Sequence, residues 1–92
     1  IVIRPAAKRD MVRYYSWLVR EAGAEIAERF MAAADRTFTI LAESPHLGAE
    51  IGSHSLRHAN LRKWKIEGFR RMVIVYQPDG DCLRVVRVFN TG

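Results

Sequence analysis

The chain has 92 residues, 49% hydrophobic and 27% charged, with a formal net charge of +5. That length suits one domain with a modest core, and that composition excludes a disordered or low-complexity chain. A lone cysteine, Cys82, excludes an internal disulfide framework; no apolar run approaches the ~20 residues that span a bilayer and no secretory signal is visible, which together point to the reducing cytoplasm.

Residues 1–3 are β-prone and stop at Pro5, which predicts a short edge strand running into a helix start. From Ala6 onward Ala7, Met11, Tyr14, Tyr15, Leu18 and Ala22 fall at i, i+4, i+7, i+8, i+11 and i+15, a helical stripe. Gly23 supplies the stop expected after a helix. A second stripe follows with Ile26, Ala27, Phe30, Ala33, Ala34, Phe38 and Leu41, and Ser44 and Pro45 end it. So short a connection predicts an antiparallel helical hairpin.

Beyond Pro45 the segment HLGAEIGSHS has the character of a loop. Three β-like runs then appear at 61–66, 72–77 and 83–89, with Gly68 permitting one reversal and PDGD (78–81) making the next. The predicted order is β-α-α-β-β-β: one α+β domain over residues 1–92, with the helical hairpin packed on a mainly antiparallel, twisted sheet.

Charge is unevenly placed along this order. Residues 1–55 hold seven Lys and Arg against seven Asp and Glu, whereas residues 56–92 hold eight against three. The C-terminal half therefore presents either a surface for an acidic partner or nucleic acid, or a solvated, solubilising sheet. Its densest stretch is LRKWKIEGFRR. Strand alternation there turns Trp64 and Ile66 to the core and Lys63 and Lys65 to the opposite face, with Arg62 at the strand end and its head in solvent. Arg62, Lys63, Lys65 and Arg70 thus form a candidate target-binding edge. In the last strand, alternation groups Leu83, Val85, Arg87 and Phe89 on one face, so Arg87 is a structural charge in need of a specific partner.

The first helix carries a second candidate surface. Arg9, Arg13 and Arg20 fall at i, i+4 and i+11 beside the apolar stripe, and Tyr14 and Trp17 border them. The face is either solvated or a groove for an acidic, amphipathic partner segment. Candidates for catalysis are poor. Tyr76 shares the parity of the core-facing Ile74, His46, His54 and His58 read as surface histidines, and Cys82 reads as a half-buried packing residue. No catalytic residue, metal ligand or cofactor site is assigned.

At this point the order of motifs resembles the ParE branch of the RelE/ParE toxin–antitoxin superfamily. AKRDM (7–11) is similar to the family's A-x-x-D-L, AERF (27–30) to A-x-R-F, LAESPHLG (41–48) to L-x-x-x-P-x-x-G, LRKWKIEGF (61–69) to L-R-x-W-x-V-x-G-F, VIVY (73–76) to L-I-F-Y and VVRVF (85–89) to I-x-R-V-L. Asn90 stands where family members usually carry a histidine, and the following Arg-Asp pair is absent from NTG (90–92). The resemblance implies the toxin of a plasmid-stabilising type II module, held in check by a ParD-type antitoxin. It implies a toxin that inhibits DNA gyrase by binding and meets operator DNA only through the antitoxin. Arg9, Arg13, Tyr14, Trp17 and Arg20 would then face the antitoxin, and Arg62, Lys63, Lys65 and Arg70 the target. The alternatives are a RelE-like, metal-independent, ribosome-dependent mRNA endonuclease and a non-toxic member that only binds its antitoxin. The RelE branch places basic and aromatic catalytic residues after its final strand, and nothing here fills those positions.

Overall fold

Pro5 opens the first helix at a position where its missing N–H has no helical partner to lose. The computed structural model describes residues 1–51 and 60–92, so the readings of His54 and His58 lie outside the described residues. Its elements are β1 (Val2–Ile3), α1 (Pro5–Ala22), α2 (Ala24–Glu43), β2 (Ala49–Glu50), β3 (Arg62–Ile66), β4 (Phe69–Asp79) and β5 (Cys82–Asn90). Gly23 alone joins the helices. Its φ of 96° suits glycine, its N–H donates to the carbonyls of Leu18 and Val19, and its carbonyl accepts from Ala27. The expected hairpin follows.

The sheet has the order β1-β5-β4-β3-β2, with β1 parallel to β5 and the other pairs antiparallel. One face carries the core. Ile66, Met72, Ile74, Tyr76, Leu83, Val85 and Val88 meet Ala7, Met11 and Leu18 of α1 and Phe30, Ala34, Phe38 and Leu41 of α2. Ala27 and Ala34, both fully buried, keep α2 close to its neighbours. The buried Thr37 hydroxyl donates to the Ala33 carbonyl at 2.7 Å, so its polar group is satisfied within the helix.

Three details depart from the sequence reading. The segment after Pro45 contains a short strand, β2, whose Ala49 and Glu50 pair with Lys63 and Arg62. Two residues are too few to show alternation, so its signal is tertiary. Second, the β4–β5 register steps between Val75 and Tyr76, whose partners are Arg87 and Val85, leaving Val86 as the extra residue. A bulge of this kind reverses the parity of everything beyond it. Leu83 and Val85 therefore face the core, while Arg87 and Phe89 do not share their face. Third, Trp64 pairs with Ile74 on the helix-facing side, as alternation predicts, yet remains 37% exposed. Alpha-helical cover over β3 is incomplete, because Ile40 of α2 is itself 42% exposed.

Candidate functional site

Lys63 and Lys65 pair with Val75 and Val73 of β4, and Val73 pairs in turn with Phe89 of β5. They belong to the sheet face turned away from the helices, and both are exposed. Arg70, exposed just after the Gly68 reversal, joins them around a cleft of about 940 Å³. Among the described residues these three cations have no ion pair. Three of the four residues read as a target-binding edge are thus brought together.

Arg62 is different, and the expectation that its head reaches solvent is corrected. Its side chain is 16% exposed. Nη1 donates to the Gly48 carbonyl at 2.7 Å and to the His46 carbonyl at 3.3 Å, and Nη2 meets Glu50 Oε1 at 3.1 Å. Parity places it beside the fully buried Tyr76, its β4 partner. Tyr76 Oη donates to the Pro45 carbonyl at 2.7 Å and accepts from the Gly48 N–H at 2.8 Å. The pair clamps residues 45–50 against the sheet, and the carbonyls of that segment occupy the guanidinium. Tyr76 has its phenol pushed above its ordinary pKa by burial, against weaker opposing effects of the Gly48 N–H and Arg62. It is a structural hydroxyl.

The α1 surface is likewise rearranged. At 3.6 residues per turn, Arg9, Arg13 and Arg20 lie on the side roughly opposite Leu18 rather than next to the apolar stripe. All three are exposed. Trp17, 45% exposed, stacks on Tyr14 with centroids 5.6 Å apart. Tyr14 meets Phe30 edge-on at 4.8 Å, and Phe30 meets Phe69 at 5.4 Å. This aromatic row runs from solvent into the core and holds the Trp17 ring in place. Tyr14 is its half-buried middle, so Trp17 and the arginines are the accessible members of the proposed set.

Asp10 was not singled out by sequence reasoning. Its carboxylate, nearly buried, accepts from Arg87 Nε at 2.7 Å, Arg87 Nη2 at 3.0 Å and the Val88 N–H at 2.9 Å. The partner that Arg87 was expected to need is therefore Asp10, although Arg87 is half exposed rather than enclosed by apolar neighbours. β1 pairs with β5 only at Arg84 and Val85, and Asp10 satisfies the strand edge farther along. Burial acts to raise the Asp10 pKa, but the Arg87 and Val88 hydrogen bonds and the charges of Arg87 and Arg13 outweigh it, leaving a net lowering. The available signal was a carboxylate inside an apolar stripe, at i+3 from Ala7 and i−1 from Met11.

His46 is exposed and enters the clamp only through its carbonyl, and Cys82 is half-buried as expected. Among the described residues no group of three His, Cys, Asp or Glu side chains could hold a metal, and no helix is long and apolar enough to cross a membrane.

Comparison with known proteins bears on the family and the fold. A family model described as the ParE toxin of the type II toxin–antitoxin system parDE matches residues 1–92. A solved structure described as the chromosomal ParDE toxin–antitoxin system from P. aeruginosa superposes with a TM-score of 0.78. The two share 17% identity, and the match covers 98% of this chain and 92% of that one. At that identity the likeness establishes the fold. No curated protein matches.

Proposed function

Since the chain belongs to the ParE toxin family of type II toxin–antitoxin systems, we propose that it inhibits DNA gyrase by binding and is neutralised by a ParD-type antitoxin. The family match over residues 1–92 carries this reading. On it, the toxin works in the cytoplasm, makes and breaks no bond of its own, traps the cleaved-DNA state of gyrase, and meets operator DNA only through the antitoxin. Plasmid stabilisation follows from such a pair when the antitoxin is lost faster than the toxin.

Lys63, Lys65 and Arg70, without an ion pair among the described residues, support a target contact at the β3 side, while Arg62 supports it indirectly by fixing the adjoining segment. Purified toxin is expected to inhibit gyrase supercoiling and accumulate cleaved DNA with ATP present, leaving ribosome-bound mRNA intact. Exchanging Lys63→Glu and Lys65→Glu together reverses the local field, weakens inhibition and does so less at higher salt. Thermal melting stays near wild type, because both side chains are exposed. Codon-positioned mRNA cleavage on ribosomes, lost in the double variant, would replace this reading with the nuclease.

The α1 face supports the antitoxin contact. Trp17 supplies an ordered aromatic anchor, and Arg9, Arg13 and Arg20 suit a partner rich in carboxylates. Truncating such an anchor commonly costs about 2 kcal/mol of binding. Trp17→Ala and Arg13→Glu are accordingly expected to weaken the toxin–antitoxin complex, measured by calorimetry, while the free toxin still folds, its melting temperature only slightly lowered by loss of the Tyr14 stack or of the Arg13 charge near Asp10. Unchanged affinity in both variants would move the antitoxin off this face.

A further inference from the structure

The cationic edge borders an apolar groove. Lys63 and Lys65 belong to one face of β3 and Trp64 to the other, so the cleft that all three line wraps the outer edge of the strand. Ile40, Leu47, Trp64 and Phe89 line the same cleft and are 42%, 45%, 37% and 42% exposed. A second hollow of about 510 Å³, between α2 and the β3–β4 reversal, shares Glu67 with the first and adds Ile26, Ala33 and Arg36. From Ile26 to Ile40 the helix runs ~21 Å, enough to seat about 14 residues of a second helix. Beyond Lys63, the outer edge of β3 carries no strand among the described residues.

The rim of this groove is one-sided in charge. Arg36, Lys63, Lys65 and Arg70 have no ion pair among the described residues, and Glu67 is the carboxylate that lines both hollows. We propose that the groove is the target contact and that it takes an acidic, amphipathic segment of the target protein rather than DNA. This rests on the gyrase reading given above. A site for duplex DNA neutralises phosphates with cations and gains little from exposed aliphatic side chains. Single-stranded DNA would stack a base on Trp64 but leave Ile40 and Leu47 in water. An amphipathic segment buries those side chains with its apolar face and sets carboxylates against Arg36, Lys63, Lys65 and Arg70.

The experiment places the photoreactive p-benzoylphenylalanine at Ile40 of the full chain. The labelled toxin is irradiated with gyrase, plasmid DNA and ATP under conditions where it inhibits supercoiling. The expected product is a nuclease-resistant adduct with a gyrase subunit. An adduct with DNA, or none while inhibition persists, overturns the proposal. As a second arm, Ile40→Glu is expected to raise the concentration for half-inhibition roughly tenfold or more, and Ile40→Lys far less, with equal thermal melts. Equal losses in both variants overturn the acidic character of the segment. Failure of unlabelled wild-type toxin to inhibit supercoiling is a separate result: it removes gyrase as the target and this occupant with it.

Discussion

Asp10→Ala is expected to unfold well below the wild type, losing about 2 kcal/mol of stability, or roughly 8–16 °C in a domain this small. The carboxylate accepts three hydrogen bonds from β5, one of them from the backbone of Val88, itself buried. Alanine leaves that N–H without an acceptor where β1 no longer covers the strand. The loss stays below that of a fully enclosed ion pair because Arg87 is half exposed and recovers water. Asp10→Asn separates charge from shape. The folded-state pKa lies below the ordinary carboxylate value of 3.8, so the charged form contributes its full stability above that value. The contribution disappears as pH falls through the lowered folded-state pKa. Wild type and Asp10→Asn should therefore differ most near neutrality and converge in acid, as followed by thermal melts across pH. Arg87→Ala is expected to melt below wild type as well; a variant that melts normally but loses toxicity would make Arg87 a contact residue.

Gly48→Ala is the other change with a large expected effect. A Cβ there would lie 2.5 Å from Tyr76 Oη and 2.7 Å from the Lys63 carbonyl oxygen, and the second of these belongs to the sheet backbone. The segment has to move. Moving it strains or breaks the Tyr76 bonds to Pro45 and Gly48 and the Arg62 bond to Gly48. A loss of about 2–3 kcal/mol follows from overpacking together with broken buried hydrogen bonds. Tyr76→Phe removes the hydroxyl alone and is expected to cost about 1–2 kcal/mol. Because both act on one clamp, urea denaturation of the double variant should show less than the sum of the two losses. Full additivity, or a Gly48→Ala protein as stable as wild type, would mean that the clamp does not hold this segment.

Local signals made most of the architecture legible. The two helical stripes, Gly23 between them and the turn chemistry of residues 78–81 each act over a few residues, and the hairpins they specify are present. What escaped were features set by contacts distant in sequence. The bulge at Val86 leaves no mark in a strand whose residues are nearly all β-prone, so simple alternation put Arg87 on the wrong face. Arg62 looked like one more member of a basic run, because nothing within that run announces the carbonyls of His46 and Gly48. Lys63, Lys65 and Arg70 were legible as a group, since exposure of alternate lysines follows from the strand period alone. The groove beside them was not, because it arises from incomplete cover of Trp64 by α2 rather than from any motif.

The place of β5 in the sheet has a consequence for the order in which the protein assembles. The helical hairpin closes through one residue and needs only neighbours in sequence. The sheet, in contrast, joins its first strand to its last, Ile3 to Val85, and Asp10 waits for Val88, 78 residues away. Closing so long a loop is entropically costly until several contacts form together. On the ribosome, α1 and α2 can therefore pair early, while β1 and the Asp10 carboxylate stay without partners until β5 emerges. The acquisition of a complete core is deferred until β5 has emerged, and chains that have not reached it expose the apolar side of the hairpin in the meantime.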